Sequence, residues 1–160
     1  MSGPSPEQIA EHITRTLEGV VPTEAWGETA FFYNPAQQLK RGTYFATLKQ
    51  KNGDNDRASA LDRDDVFRLN IGLPVPDYAK LFGKRPARPP KGESVSGPWD
   101  FTALDTLMPH PTYAWMGWVA VLNPSCPTFE RCVPMLASAH AKAKATFEKR
   151  ILKHTKELEP

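Results

Sequence analysis

The stretch LDTLMPHPTYAWMGWVAVLNPS, Leu104 to Ser125, concentrates chemically capable side chains in a chain with only 4 histidines and 4 tryptophans. His110 stands between Pro109 and Pro111, and a following proline biases a residue toward extended backbone. A rigidly held imidazole suits general acid or base work near neutral pH. His110 is therefore a candidate catalytic residue, with Asp105 as the carboxylate that would orient it and Tyr113 as a second polar group. The competing reading is a histidine bonded to backbone inside a stiff loop, because no nucleophile stands at a recognisable spacing. If Trp115 and Trp118 lie on a strand, they point to opposite faces, one into the core and one toward a ligand. A Trp, Tyr and His cluster at the mouth of a strand is also how an aromatic ligand would be gripped.

Arg68 and Asn70 form a second group. In VFRLNIGL they alternate with Phe67, Leu69 and Ile71, so they share one face of a strand whose other face is apolar. On an open sheet they would face solvent. Under a cover, Arg68 needs a carboxylate or a ligand anion, and it becomes the charged anchor of a pocket that also uses Asn70, Tyr113, Trp115 and Trp118. The acidic run DNDRASALDRDD has Asp54 and Asp56 at calcium-loop spacing. Ala58, Ser59 and Asp65 stand where the next ligand, the glycine and the bidentate glutamate belong, so it reads as a polar loop with Asp56, Arg57 and Arg63 at a pocket rim.

Lys84, Arg85, Arg88 and Lys91, in GKRPARPPKG, are the residues that a nucleic-acid-binding alternative would use. With a net charge of +2 few phosphates can be neutralised, and the expected affinity is nonspecific, about 10⁻⁴ to 10⁻⁶ M. There is no P-loop, GxGxxG, GxSxG or HExxH, so no cofactor and no metal is expected. Cys126 and Cys132 are too few and too close for a disulfide framework and read as reduced thiols, Cys132 in the core. Cys126 precedes Pro127 at a helix start, which makes it a weaker candidate for a reactive thiol.

The elements that must position these residues follow from periodicity. In SPEQIAEHITRTLEGV, Ser5 caps, Pro6 takes the first helical position, Gln8 completes a capping box, and Ile9, Ile13 and Leu17 recur at helical spacing. TAFFYN and TYFATLKQ read as two paired strands and VFRLNIGL as a third. PDYAKLF reads as a short helix closed by Gly83, ESVSG as a short strand, and TYAWMGWVAVLN as the longest strand. A helix from about Phe129 to Lys156 places Cys132, Leu136, His140, Ala143 and Phe147 on one face, with Pro134 predicting a late start or a kink. This order gives a single α+β domain over residues 1–160, ordered from about 5 to 156. Its largely antiparallel sheet is covered by an N-terminal and a long C-terminal helix, with Ile13, Phe67, Leu69, Leu136 and Phe147 in one core.

The runs DRASALDRDDVFRLNIGL, YAKLFG, DFTALDTLMPHPTYAWMGWVAVLNPS and TFE closely resemble the bacterial domain-of-unknown-function family 6194. More loosely, the order of elements resembles the YjbR and MmcQ type of small α+β protein, commonly labelled DNA-binding. These likenesses imply a fold rather than an activity. The sequence shows no signal-peptide pattern at its start and no apolar run of membrane-spanning length, so a soluble cytoplasmic protein is expected. The favoured reading is a small-molecule pocket around LMPHPTYAWMGW, in a ligand-binding protein or an accessory enzyme. Weak nucleic-acid binding is the alternative.

Overall fold

A computed structural model describes residues 3–157. Helix α1 (Pro6–Thr16) starts as its sequence dictates. Ser5 Oγ accepts from the Gln8 N–H, and Gln8 Oε1 accepts from the Ser5 N–H, a reciprocal cap worth about 1 kcal/mol. Next come β1 (Val20–Ala25), β2 (Glu28–Tyr33), β3 (Thr43–Lys49), β4 (Arg68–Gly72), α2 (Val75–Phe82), β5 (Met108–Pro109), β6 (Trp118–Leu122) and α3 (Cys126–Glu157). The strands form one antiparallel sheet in the order β1-β2-β3-β4-β6-β5.

One face of this sheet carries Phe31, Tyr33, Phe45, Leu48, Leu69, Ile71, Val119 and Val121. It is buried with Ile9 and Ile13 of α1 and with Cys132, Leu136, Ala139, Ala143 and Phe147 of α3. Side chains such as Ile9 and Leu136 each contribute about 1.5–3 kcal/mol by burial. This is the single-domain α+β arrangement the sequence implies, with all five expected core residues in one cluster. Among the described residues no helix is long and apolar enough to cross a membrane.

Several elements differ from expectation. The long strand from Thr112 does not form. Ala114–Met116 make a 3-10 turn, Gly117 adopts φ 93°, and only Trp118 onward is strand. A left-handed residue ends extended pairing, so Gly117 divides the run that the side-chain pattern presents as continuous. Nor is ESVSG a strand, although buried Val95 donates its N–H to Pro111 O at 2.8 Å. Strand β1 escapes sequence reading because Pro22 and polar residues interrupt it, a composition tolerated at a sheet edge. Helix α3 starts at Cys126, not late, and runs through Pro134.

Candidate functional site

Among the described residues, α1 and α3 pack on the core face of the sheet and leave the second face to loops. By strand alternation it presents Glu28, Ala30 and Phe32 from β2, Thr47 and Lys49 from β3, Arg68, Asn70 and Gly72 from β4, and Trp118 from β6. Tyr44 joins them through a bulge. Phe31 pairs with Ala46 but Phe32 pairs with Tyr44, so Phe45 is an extra residue that turns into the core and re-aims Tyr44 to the outer face. Gly72 leaves room for the Trp118 indole, since a Cβ there would stand 2.7 Å from Trp118 Cε2.

Above this floor lies a groove of about 470 Å³ whose lining includes Phe32, Tyr44, Thr47, Lys49, Asp54, Asp56, His110, Tyr113 and Trp118. Phe32, Tyr44, Trp118, His110 and Tyr113 follow one another as rings, with successive centroids 5.9, 5.3, 6.5 and 5.1 Å apart. Tyr44 and Trp118 are inclined by only 31°. Burial, with Tyr113 and Glu28 nearby, raises the Tyr44 phenol above its ordinary value, so it stays protonated and able to donate.

Arg68 lies beneath the groove at 0% exposure, and four of its five N–H groups donate hydrogen bonds. Nε donates to Asn70 Oδ1 at 2.7 Å, and Nη1 donates to Asp56 Oδ1 at 3.0 Å and Ser59 Oγ at 2.9 Å. Nη2 donates to the second Asp56 oxygen and faces His110 Nε2 at 3.2 Å. Asn70 passes the network on, donating to Thr47 Oγ1 at 2.9 Å. The partner of Arg68 is thus Asp56, one of the residues expected at a pocket rim. The guanidinium clamps the 50–66 loop to the sheet, and its remaining N–H is turned to the buried His110 ring. That loop is stiffened further where Asn52 bonds Asp62 and the Leu61 N–H.

His110 is buried, and its neutral ring has one acceptor nitrogen, the other carrying the proton. Nδ1 accepts from the N–H groups of Thr112 at 3.0 Å and Tyr113 at 3.1 Å, while Nε2 faces the guanidinium. With Nδ1 accepting, Nε2 carries the proton of the neutral ring, and a second proton would take away its one acceptor. Burial first, then the cations of Arg68 and Lys49, hold His110 well below the usual histidine range, so it is neutral at pH 7. The imidazole therefore orients Tyr113 and the turn that carries it, and offers no free nitrogen for proton transfer.

The remaining sequence candidates divide. Tyr113 and Trp118 line the groove, and Trp115 does not. Its Nε1 donates to Thr112 O at 3.1 Å, its ring lies under the Arg88 guanidinium at 4.7 Å, and its carbonyl accepts from Arg85 at 3.3 Å. Two of the four cations of the basic loop are thus engaged at one tryptophan, while Lys84 and Lys91 are exposed. Asp105 is not the orienter of His110. Its carboxylate accepts from the Ser125 N–H at 2.8 Å, a bond that holds it below the usual carboxylate range. It lines a separate groove of about 730 Å³ at the starts of α1 and α3, where the polar groups of Ser5 and Ser125 already serve as caps. Of the two thiols, Cys126 is exposed, whereas burial pushes Cys132 up to about 11. Among the described residues no group of His, Cys, Asp and Glu is arranged to hold a metal ion.

Residues 4–151 match the model of a family described as "Family of unknown function (DUF6194)". The chain belongs to this DUF6194 family. No curated protein and no solved structure matches it. Within this DUF6194 chain, sequence reading missed Tyr44 and Lys49. Lys49 shares strand parity with Thr47, but its place beside Arg68 depends on pairing across the long 50–66 loop. Tyr44 owes its place to the bulge.

Proposed function

We propose that this protein binds a small planar aromatic molecule in the groove on the second face of its sheet. The observation that carries the reading is the series of neighbouring rings from Phe32 to Tyr113 along the groove. Successive rings are inclined by 53, 31, 82 and 42°, so a planar ligand meets both edges and faces, and edge-to-face or offset-stacked contacts are each worth about 0.5–1.5 kcal/mol beyond buried area. A volume of about 470 Å³ falls within the range of small-molecule sites. The buried network supports the reading as well, because it fixes the rim and the Tyr113 turn before any ligand arrives. His110 acts here as a positioning residue, and the function is binding rather than proton transfer.

The test is amide NMR of the labelled protein titrated with paired carboxylic acids and carboxamides of benzene, naphthalene and indole. The Trp118 indole N–H should shift and saturate, while that of Trp26, 91% exposed at the tip of the β1–β2 hairpin, serves as the unmoved control. Tyr44→Ala should weaken binding about tenfold, or about 1.4 kcal/mol, without lowering the melting temperature, since Tyr44 is half exposed. Saturable binding that leaves Trp118 unmoved, or that survives both Tyr44→Ala and Tyr113→Ala, would place the ligand elsewhere and sink the reading.

A further inference from the structure

One lysine stands on the same face of the sheet as the rings. Lys49 ends β3, opposite Arg68 on one side and Glu28 on the other. Its side chain is only 12% exposed, yet its ammonium makes no hydrogen bond among the described residues. Its ion pair with Glu28 is at 4.0 Å, beyond hydrogen-bonding distance, and Glu28 is itself 36% exposed. Space at the ammonium is preserved by Gly53, where an added Cβ would stand 3.3 Å from Lys49 Nζ.

The two cations beneath the groove are thus in different states. Arg68 is neutralised by the bidentate Asp56 carboxylate, while none of the three Lys49 ammonium N–H groups donates to the described residues. A ligand that fills the groove displaces water from that ammonium, and an ammonium stripped of hydration needs an acceptor in return. Arg41 lines the mouth and adds a second positive group, against the carboxylates of Asp54 and Glu28. Neither α1 nor α3 begins at this groove, and α2 does not line it, so the N–H cluster of a helix start that suits phosphate is missing from its walls. One compact point charge suits a monoanion better.

We infer that the ligand is an aromatic or heteroaromatic carboxylic acid, its carboxylate paired with Lys49 Nζ and its ring stacked along Tyr44 and Trp118. This assignment rests on the binding reading above and adds the charge of the ligand and the residue that selects it.

The acid and amide pairs of benzene, naphthalene and indole test it directly, with affinities read from the Trp118 indole shift. On the parent protein at least one acid should bind about tenfold or more tightly than its own amide. Lys49→Met should erase that preference and leave amide affinity unchanged, while Lys49→Arg should retain it. Glu28→Gln, which removes the competing carboxylate, should widen the preference severalfold. Thermal melts of the variants, together with amide binding retained in Lys49→Met, separate lost selectivity from lost fold. Equal affinity for acid and amide, or a preference that persists in Lys49→Met, overturns the assignment while the binding reading stands. Tighter binding of benzyltrimethylammonium, weakened by Glu28→Gln, would overturn it in favour of a cationic ligand. If no acid and no amide moves the Trp118 signal, the binding reading falls and this assignment falls with it.

Discussion

Replacing Arg68 with methionine removes the guanidinium from beneath the groove while keeping an unbranched side chain. Asp56 loses both contacts of a bidentate pair, and Ser59 and Asn70 each lose one partner. Removing one member of a buried pair costs about 3–5 kcal/mol, chiefly because the other charge is left unpaired. The Asp56 side chain is 15% exposed and recovers some hydration, which places the expected loss near the lower end, about 3 kcal/mol. For a domain of this size that is a melting shift of about 6–12 °C. Urea unfolding followed by circular dichroism should show a lowered midpoint with an unchanged slope. Arg68→Lys should rescue little, since three donors replace five and the fork that matches the carboxylate is gone. Asp56→Asn in the Arg68→Met background should recover part of the loss, because the stranded carboxylate is its main source. A cost below about 1 kcal/mol for Arg68→Met, or a further loss on adding Asp56→Asn, would refute the clamp.

Two further outcomes follow from the same region. His110 is neutral in the folded chain well below its ordinary 6.5, whereas the unfolded chain takes up the proton near that value. Below about pH 6.5 the unfolded state therefore binds more protons, and stability falls with falling pH by up to about 1.4 kcal/mol per unit until the folded-state pKa is reached. Above pH 6.5 the contribution is complete and flat. His110→Gln should lack this slope between pH 6.5 and the carboxylate range, as urea midpoints measured across pH will show. Gly72→Ala should cost about 1–3 kcal/mol and shift tryptophan emission, because the new methyl meets the Trp118 ring at 2.7 Å; unchanged emission would count against the close approach.

Local rules made much of this fold legible in the sequence. The Ser5 and Gln8 cap, the Gly83 stop at φ 77° and the apolar stripe of α3 are written in neighbouring residues. Period-two alternation likewise placed Arg68 and Asn70 together on a face opposite the core. What stayed hidden depends on partners distant in sequence. Arg68 finds Asp56 and His110 only once β4 has paired with β3 and β6, and the Tyr44 side chain changes face because of a single extra residue in β3. Asp105 and His110 stand close in sequence, yet Asp105 turns to the start of α3 and His110 turns to Arg68 on the groove face of the sheet. Trp115 and Trp118 looked like neighbours on one strand until Gly117 intervened.

Because the two faces of the sheet alternate residue by residue, the floor of the groove and the hydrophobic core share a backbone but not side chains. Ala30 and Thr47 face the groove, while their neighbours Phe31, Ala46 and Leu48 face the helices. Exchanging Ala30 for a larger residue makes the groove shallower without altering the volume packed beneath α3. Thr47 is less free, since its hydroxyl accepts from Asn70 in the network that holds the 50–66 loop. The shape of the groove can thus drift at a floor position that neither the core nor the network uses, a division of labour that leaves members of one family room to diverge in this groove without diverging in architecture.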